Sequence, residues 1–113
     1  MIRFVVLAML GAGLGGPPLH AAQAPATPAQ GEKVFVAQKC SLCHAVAGKG
    51  NKNGPLDGVG TKLTAADLRA WIVDPAAMSK KHNATRKPPM KSFASLSTED
   101  VDALVAYLQT LKK

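Results

Sequence analysis

Two cysteines and a histidine lie together in the segment Cys40-Ser41-Leu42-Cys43-His44. A C-x-x-C-H segment is typical of covalent attachment of a c-type haem. The two thiols can add across the two vinyl groups of haem, and two intervening residues match the separation of those groups. His44 follows directly, so its imidazole can reach the haem iron as an axial ligand. The motif therefore predicts one covalently bound haem c, with Cys40 and Cys43 as thioether donors and His44 as an iron ligand.

Three other uses of paired cysteines fit this sequence less well. A disulfide between Cys40 and Cys43 would close a very short loop and would restrict little of the unfolded chain. A thioredoxin-like redox pair belongs to a βαβ unit, and no alternating strand pattern flanks the motif. A zinc site takes four ligands, whereas the chain has two Cys and three scattered His. Haem attachment is the interpretation that also uses the histidine.

A second axial ligand would complete the coordination of the iron. The candidates after the motif are Met78, His82 and Met90. Pro88 and Pro89 restrict the chain before Met90, so less conformational entropy is lost when its weak thioether ligand is ordered. Met78 is otherwise interpreted as a packing residue, and His82 as an exposed side chain among lysines. The ordering argument favours Met90, and Met/His ligation raises the reduction potential of a haem.

The N-terminal residues 1–24 predict a cleaved secretory signal peptide. Arg3 supplies a positive charge, an apolar run of about eleven residues follows it, and Ala22-Gln23-Ala24 offers an A-x-A cleavage site. Cleavage after Ala22 and cleavage after Ala24 both fit this pattern. An uncleaved anchor is the alternative, but glycines and prolines shorten the run below the roughly 20 apolar residues of a spanning helix. We therefore expect a periplasmic protein without stable membrane insertion.

Net charge indicates the class of partner, and length indicates a single small domain. The chain has 14 Lys and Arg against 7 Asp and Glu, a formal net charge of +7. Such an excess favours an anionic partner and speeds its encounter. Nucleic acid is not expected, because the chain carries an export signal and no basic stripe interleaved with aromatic residues. The length fits one small domain, whose core would depend on the haem for much of its apolar contact.

Sequence patterns divide the remaining chain into helices and connections. Residues 25–30 are rich in Pro, Ala and Thr and predict a flexible lead-in. From Gly31 the pattern predicts a helix that delivers the haem motif and ends near His44. Residues 45–62 predict a loop because they are rich in Gly, Asn and Lys. Residues 74–93 contain three prolines and predict a linker.

Two later helices are marked by capping sequences. Thr64 is followed by Asp67, and Ser97 by Asp100, in each case a hydroxyl N-cap with an acid three residues later. Pro75 limits the helix that begins after Thr64. After Ser97, apolar residues at helical spacing predict an amphipathic terminal helix. They are Val101, Leu104, Val105, Leu108 and Leu111.

In their order along the chain, these features resemble the class I cytochromes c, in particular the small monohaem bacterial members. The resemblance covers residues 31–113 and implies an all-α fold of three to five short helices wrapped around one covalently attached haem. It also implies that Gly31 and Phe35 cross the last helix near Tyr107. The segments that carry the resemblance are 31–35 before the haem motif, 54–60 after it, 68–75, 89–93 and 104–108.

The resemblance implies roles for individual site residues. Pro55 would present its carbonyl oxygen to the Nδ1–H of His44 and hold the ring. Trp71 would lie near the haem and bond a propionate, although a core aromatic is an equally good interpretation. Met90 would be the distal iron ligand, in agreement with the ordering argument.

Electron transfer is the function that the resemblance implies. We expect a soluble, monomeric periplasmic carrier, not an enzyme, that shuttles single electrons between redox partners with an acidic docking surface. Lysines around an exposed haem edge are the expected contacts. Two alternatives stay open: a haem-c subunit of a larger redox enzyme complex, and a gas-binding sensor in which Met90 leaves the iron easily.

Replacing both cysteines, Cys40→Ala together with Cys43→Ala, is expected to abolish covalent haem because no thiol remains to form a thioether. A haem-stained denaturing gel of the exported protein measures this directly. Ser41→Ala is the matched control, since it changes the same segment and leaves both thiols in place. Haem that stays on the double variant during denaturation would show that the attachment residues are wrong.

Overall fold

The computed structural model describes residues 26–113 and three glycines before them, Gly13, Gly15 and Gly16. The predicted signal peptide, including both candidate cleavage sites, otherwise lies outside the described residues. In chain order the elements are α1 (Pro28–Ala37), a 3₁₀ turn (Cys40–Leu42), β1 (Ala45–Val46), β2 (Lys49–Gly50), α2 (Val59–Lys62), α3 (Ala65–Val73), α4 (Pro75–Lys81) and α5 (Thr98–Gln109).

The prediction of an all-α fold with three to five short helices is confirmed, because residues 26–113 contain five helices and only two strands of two residues each. The loop predicted over residues 45–62 is more ordered than expected. It contains the two-residue strands β1 and β2, which pair antiparallel, and the single-turn helix α2. Among the helices of residues 26–113, none combines the length and the apolar character that crossing a bilayer requires.

Helix α1 begins earlier than the sequence pattern predicts. The Oγ1 of Thr27 accepts a hydrogen bond from the backbone N–H of Gln30 at 3.2 Å and caps the helix. Pro28 stands in the first turn, where its missing N–H has no intrahelical partner to lose. The last three residues of the predicted lead-in, 28–30, therefore form the first turn of α1.

Helix α1 also ends earlier than predicted. Lys39 has a φ of 56°, in the left-handed region, so the helical path is broken before the haem motif. The motif then continues as the 3₁₀ turn, in which the backbone N–H groups of Cys43 and His44 both donate to the carbonyl of Cys40, at 3.1 and 2.9 Å. Because of this break, the haem motif does not continue α1, and the chain leaves the axis of that helix.

Both predicted helix caps are present. The Oγ1 of Thr64 accepts a hydrogen bond from the backbone N–H of Asp67 at 3.1 Å, and the carboxylate of Asp67 accepts one from the N–H of Thr64 at 3.4 Å. This reciprocal pair is a capping box at the start of α3. At the start of α5, the Oγ of Ser97 accepts from the N–H of Asp100 at 3.1 Å.

Part of the predicted linker over residues 74–93 is helix α4. Its N-cap is Asp74, whose Oδ1 accepts a hydrogen bond from the backbone N–H of Ala77 at 3.2 Å. Pro75 follows as the first helical residue, a position that proline favours. The same proline that limits α3 thus begins α4, so the two helices meet without a loop between them.

The buried core lies where α1 and α3 pack against α5. Phe35 and Tyr107 meet edge to face with their ring centroids 5.6 Å apart, which confirms the predicted crossing of α1 and α5. An exposed ion pair between Arg69 and Asp102 also joins α3 to α5, and its exposure limits its contribution. The core residues are Val34, Phe35, Leu68, Ile72, Phe93, Val101, Leu104, Val105 and Leu108.

Gly31 allows the close approach of α1 to α5. A Cβ atom at Gly31 would overlap the carbonyl oxygen of Ala103 and would lie 2.6 Å from the Cβ of Tyr107. Backbone atoms of α5 cannot move aside as a flexible side chain could. A glycine is therefore required here, although glycine is a poor helix former.

Gly31→Ala is expected to lower the free energy of unfolding by about 1–3 kcal/mol or more, because the added methyl pushes α1 away from α5. Helix propensity alone would predict the opposite sign, a gain of about 1 kcal/mol. Urea unfolding of the haem-loaded protein measures the difference. Val36→Ala is the control on the same helix, because that side chain is 70% exposed, and a stable Gly31→Ala protein would contradict the packing described above.

Candidate functional site

A cavity of about 770 Å³ opens between the helical core and the segment that follows α4. Its walls are mostly apolar, which suits a large, flat and hydrophobic group. One wall carries the haem motif through Cys40, Cys43 and His44. Other parts of the lining come from α3, α5 and the segment 84–91; they include Leu68, Trp71, Ile72, Leu104, Leu108, Arg86, Lys87, Pro88, Pro89, Met90 and Lys91.

The thiols of Cys40 and Cys43 are free and partly buried in the lining of this cavity. Burial raises the pKa of Cys40 above that of an ordinary thiol, and the nearby charge of Lys91 opposes part of this effect. In residues 26–113, no three His, Cys, Asp or Glu side chains come together as ligands for a metal ion.

The imidazole of His44 is held by a backbone carbonyl. Its Nδ1 lies 3.1 Å from the carbonyl oxygen of Gly54. Because a carbonyl can only accept a hydrogen bond, Nδ1 must carry the proton, which leaves the lone pair of Nε2 free for a metal. Burial lowers the pKa of His44, the hydrogen bond to Gly54 raises it, and the charge of Arg86 lowers it further. The net lowering favours the neutral imidazole that iron requires.

The carbonyl that holds His44 belongs to Gly54 and not to Pro55, which corrects the role that the resemblance implies for Pro55. Ala45 pairs with Pro55 in a parallel bridge. In that bridge the N–H of Ala45 donates to the carbonyl of Gly54 at 3.0 Å, and the N–H of Leu56 donates to the carbonyl of Ala45 at 2.8 Å. The carbonyl that Nδ1 of His44 meets therefore lies one residue before Pro55.

Asn51 ties the loop after β2 to the haem motif. Its backbone N–H lies 3.0 Å from the carbonyl oxygen of His44, and its side-chain amide donates to the carbonyl of Leu42 at 3.1 Å. Its Oδ1 accepts from the N–H of Asn53 at 3.0 Å. Sequence reasoning missed both Asn51 and Gly54 as site residues. The turn-forming sequence Asn51-Lys52-Asn53-Gly54-Pro55 was the available signal, but it does not reveal which carbonyl faces the histidine.

The three candidates for the second axial ligand lie in different places. Met90 is half-buried and lines the large cavity together with His44. Met78 is buried in α4, and His82 is exposed just after it. Neither Met78 nor His82 belongs to the described residues that line the large cavity.

Trp71 lies between the large cavity and a smaller one of about 290 Å³, and it lines both. The ring of His82 stacks on Trp71 with the centroids 5.9 Å apart and the ring planes inclined by 25°. Trp71 is only half-buried, so it is not enclosed in the core. Pro55 lines the smaller cavity, beside Trp71 and His82.

The charged residues that line the large cavity all carry the same sign. They are Lys39, Arg86, Lys87 and Lys91, and none of the described lining residues is an Asp or a Glu. Leu42 also lines the cavity, with 70% of its surface exposed. The edge of the cavity thus combines positive charge with an exposed apolar side chain.

This donor set fits a haem. Two thiols lie in the lining for thioether bonds, a neutral imidazole offers Nε2, and Met90 offers a thioether sulfur. The apolar side chains of α3 and α5 in the lining would supply apolar contacts for a bound haem. The residues present can therefore hold the cofactor that the motif predicts.

Comparison with known proteins gives two matches. A sequence model of the cytochrome c family matches residues 28–112. The chain is also similar to cytochrome c oxidase subunit 2 of Alkalihalophilus pseudofirmus, with 37% identity over 92 residues. That match covers 74% of this chain and 25% of the relative, so the chain spans about a quarter of the length of that protein.

Proposed function

We propose that this chain, which belongs to the cytochrome c family and is thus a haem c electron-transfer protein, carries one covalently bound haem. His44 and Met90 are the proposed axial ligands of its iron. The observation that carries the proposal is that Cys40, Cys43, His44 and Met90 all line one mostly apolar cavity. When bound, the haem supplies an iron centre that accepts and donates one electron. The chain attaches, orients and encloses it.

Each proposed ligand acts in a defined way. Thioether bonds to Cys40 and Cys43 would fix the ring against the 3₁₀ turn. Gly54 holds the imidazole of His44 with Nδ1–H donated and Nε2 free. Met90 would bind through a neutral sulfur, which favours the reduced state more than a basic ligand does.

Electron transfer rather than substrate chemistry follows from this ligand set. If His44 and Met90 both bind the iron, the chain itself would fill both axial positions. Around a bound haem, the apolar residues of α3 and α5 would exclude water and lower the local dielectric, which would disfavour the extra positive charge of oxidised iron. We therefore propose a carrier of single electrons and not an enzyme.

We propose that the mature protein is a soluble monomer of the periplasm. The export pattern in residues 1–24 supports this location. A c-type haem site in the remaining residues is consistent with it, since the family resemblance implies haem attachment after export. In this proposal residues 31–113 act as the cytochrome domain.

The proposed redox partner presents an acidic surface to the cavity edge. Lys39, Lys87 and Lys91 lie there, with the exposed Leu42 among them. Opposite charge would speed the encounter, and the apolar side chain would add contact once the surfaces meet. Such an interface is expected to be small and short-lived, which suits rapid turnover of electrons.

A second candidate is a haem-bearing subunit of a larger redox complex. The similarity to an oxidase subunit favours it, since that relative is four times longer than the matched region. Size-exclusion chromatography of native periplasmic extract, followed by haem absorbance, separates the two. We expect elution at the size of a single chain, and co-elution with larger redox proteins would establish the subunit instead.

Met90→Ala is expected to lower the reduction potential of the haem by more than about 59 mV, because the thioether ligand is lost. A shift of about 59 mV corresponds to a tenfold change in the ratio of reduced to oxidised protein. Spectroelectrochemical titration measures it. Met78→Ala is the matched control: it removes a buried methionine outside the cavity lining. That variant should lose about 2–5 kcal/mol of stability and keep its potential. The reverse pattern would identify Met78 as the ligand.

A further inference from the structure

Arg86 is the arginine of the cavity lining, and it has no carboxylate at ion-pair distance within residues 26–113. Its guanidinium packs against Gly54, where it occupies the space that a side chain would take. A Cβ atom at Gly54 would lie 2.9 Å from the Cζ of Arg86. The guanidinium of this exposed side chain therefore lies beside the loop that holds His44.

We propose that Arg86 raises the reduction potential of the haem by holding this positive charge on the His44 side of the cavity. The iron loses one positive charge when it is reduced, so a nearby cation favours the reduced state. Arg86 is exposed, so solvent screens part of its charge, and the effect depends on how close the guanidinium lies to the loop that holds His44. This inference rests on the proposed haem site, and it assigns Arg86 a tuning role, not a ligand role.

The other cations of the lining differ from Arg86 in two respects. Each lysine carries a compact charge on a flexible stem, whereas the guanidinium is planar, rigid and charged at every accessible pH. Lys91 also extends over the ring of Phe93, with its Nζ 5.1 Å from the centroid. The charged group of Arg86 packs against Gly54, whose carbonyl oxygen meets Nδ1 of His44.

The test measures the reduction potential of full-length, haem-loaded protein for Arg86→Gln and Arg86→Lys. Arg86→Met is a second neutral variant in case Arg86→Gln does not fold. Lys33→Gln is the control for net charge, since Lys33 is exposed on α1 and outside the cavity lining. Haem-stained gels and absorption spectra of each variant verify that attachment and ligation are intact.

We expect Arg86→Gln to lower the ratio of reduced to oxidised protein at a fixed potential by about threefold to tenfold, and Arg86→Lys to restore most of it. Lys33→Gln should change the ratio less than twofold. Normal haem in Arg86→Gln with the wild-type potential, or a shift no larger than that of Lys33→Gln, would overturn this inference and leave the proposed function intact. Wild-type protein without covalent haem would overturn both.

Discussion

The carbonyl oxygen of Gly54 accepts two hydrogen bonds, one from the backbone N–H of Ala45 at 3.0 Å and one from the Nδ1–H of His44 at 3.1 Å. The first bond fixes where the segment after β2 lies, and the second fixes the plane and the tautomer of the histidine. Because Arg86 and the carbonyl of Cys43 fill the space beside Gly54, no larger residue fits there. The orientation of the proposed iron ligand thus depends on one closely packed glycine.

The helices position this arrangement relative to the core. Gly31 lets α1 approach the backbone of α5 closely, and the left-handed Lys39 then turns the chain out of α1 and into the haem motif. Met90 reaches the same cavity from the segment after α4. Residues far apart in the sequence therefore come together around one apolar space, which a bound haem would complete as part of the core.

Local sequence signals were enough to predict the haem motif and the helix caps. The features that could not be predicted are those that depend on the direction of the backbone. The C-x-x-C-H motif, the caps at Thr64 and Ser97 and the stripe of α5 each have a direct chemical meaning, and the structure has the caps and the helix where they were expected. The role of Gly54 was missed because residue type does not reveal which carbonyl faces His44.

The residues at which helices begin and end could not be predicted from the sequence alone either. Pro75 can end one helix or begin the next, and only the capping hydrogen bond from the N–H of Ala77 to Asp74 decides between them. Likewise Pro28, read as part of a flexible lead-in, begins α1 because Thr27 caps it. The axial role of Met90 stays a prediction, supported by its place in the cavity lining.

The most direct test of the central claim, that the chain fills both axial positions of its haem, is the absorption spectrum of the matured wild-type protein. It is recorded after reduction with dithionite, before and after carbon monoxide is added. We expect the spectrum to stay unchanged, because a gas cannot bind iron that His44 and Met90 already hold. A shifted Soret band would reveal an open or labile position and would contradict the electron-carrier account in favour of a gas-binding protein.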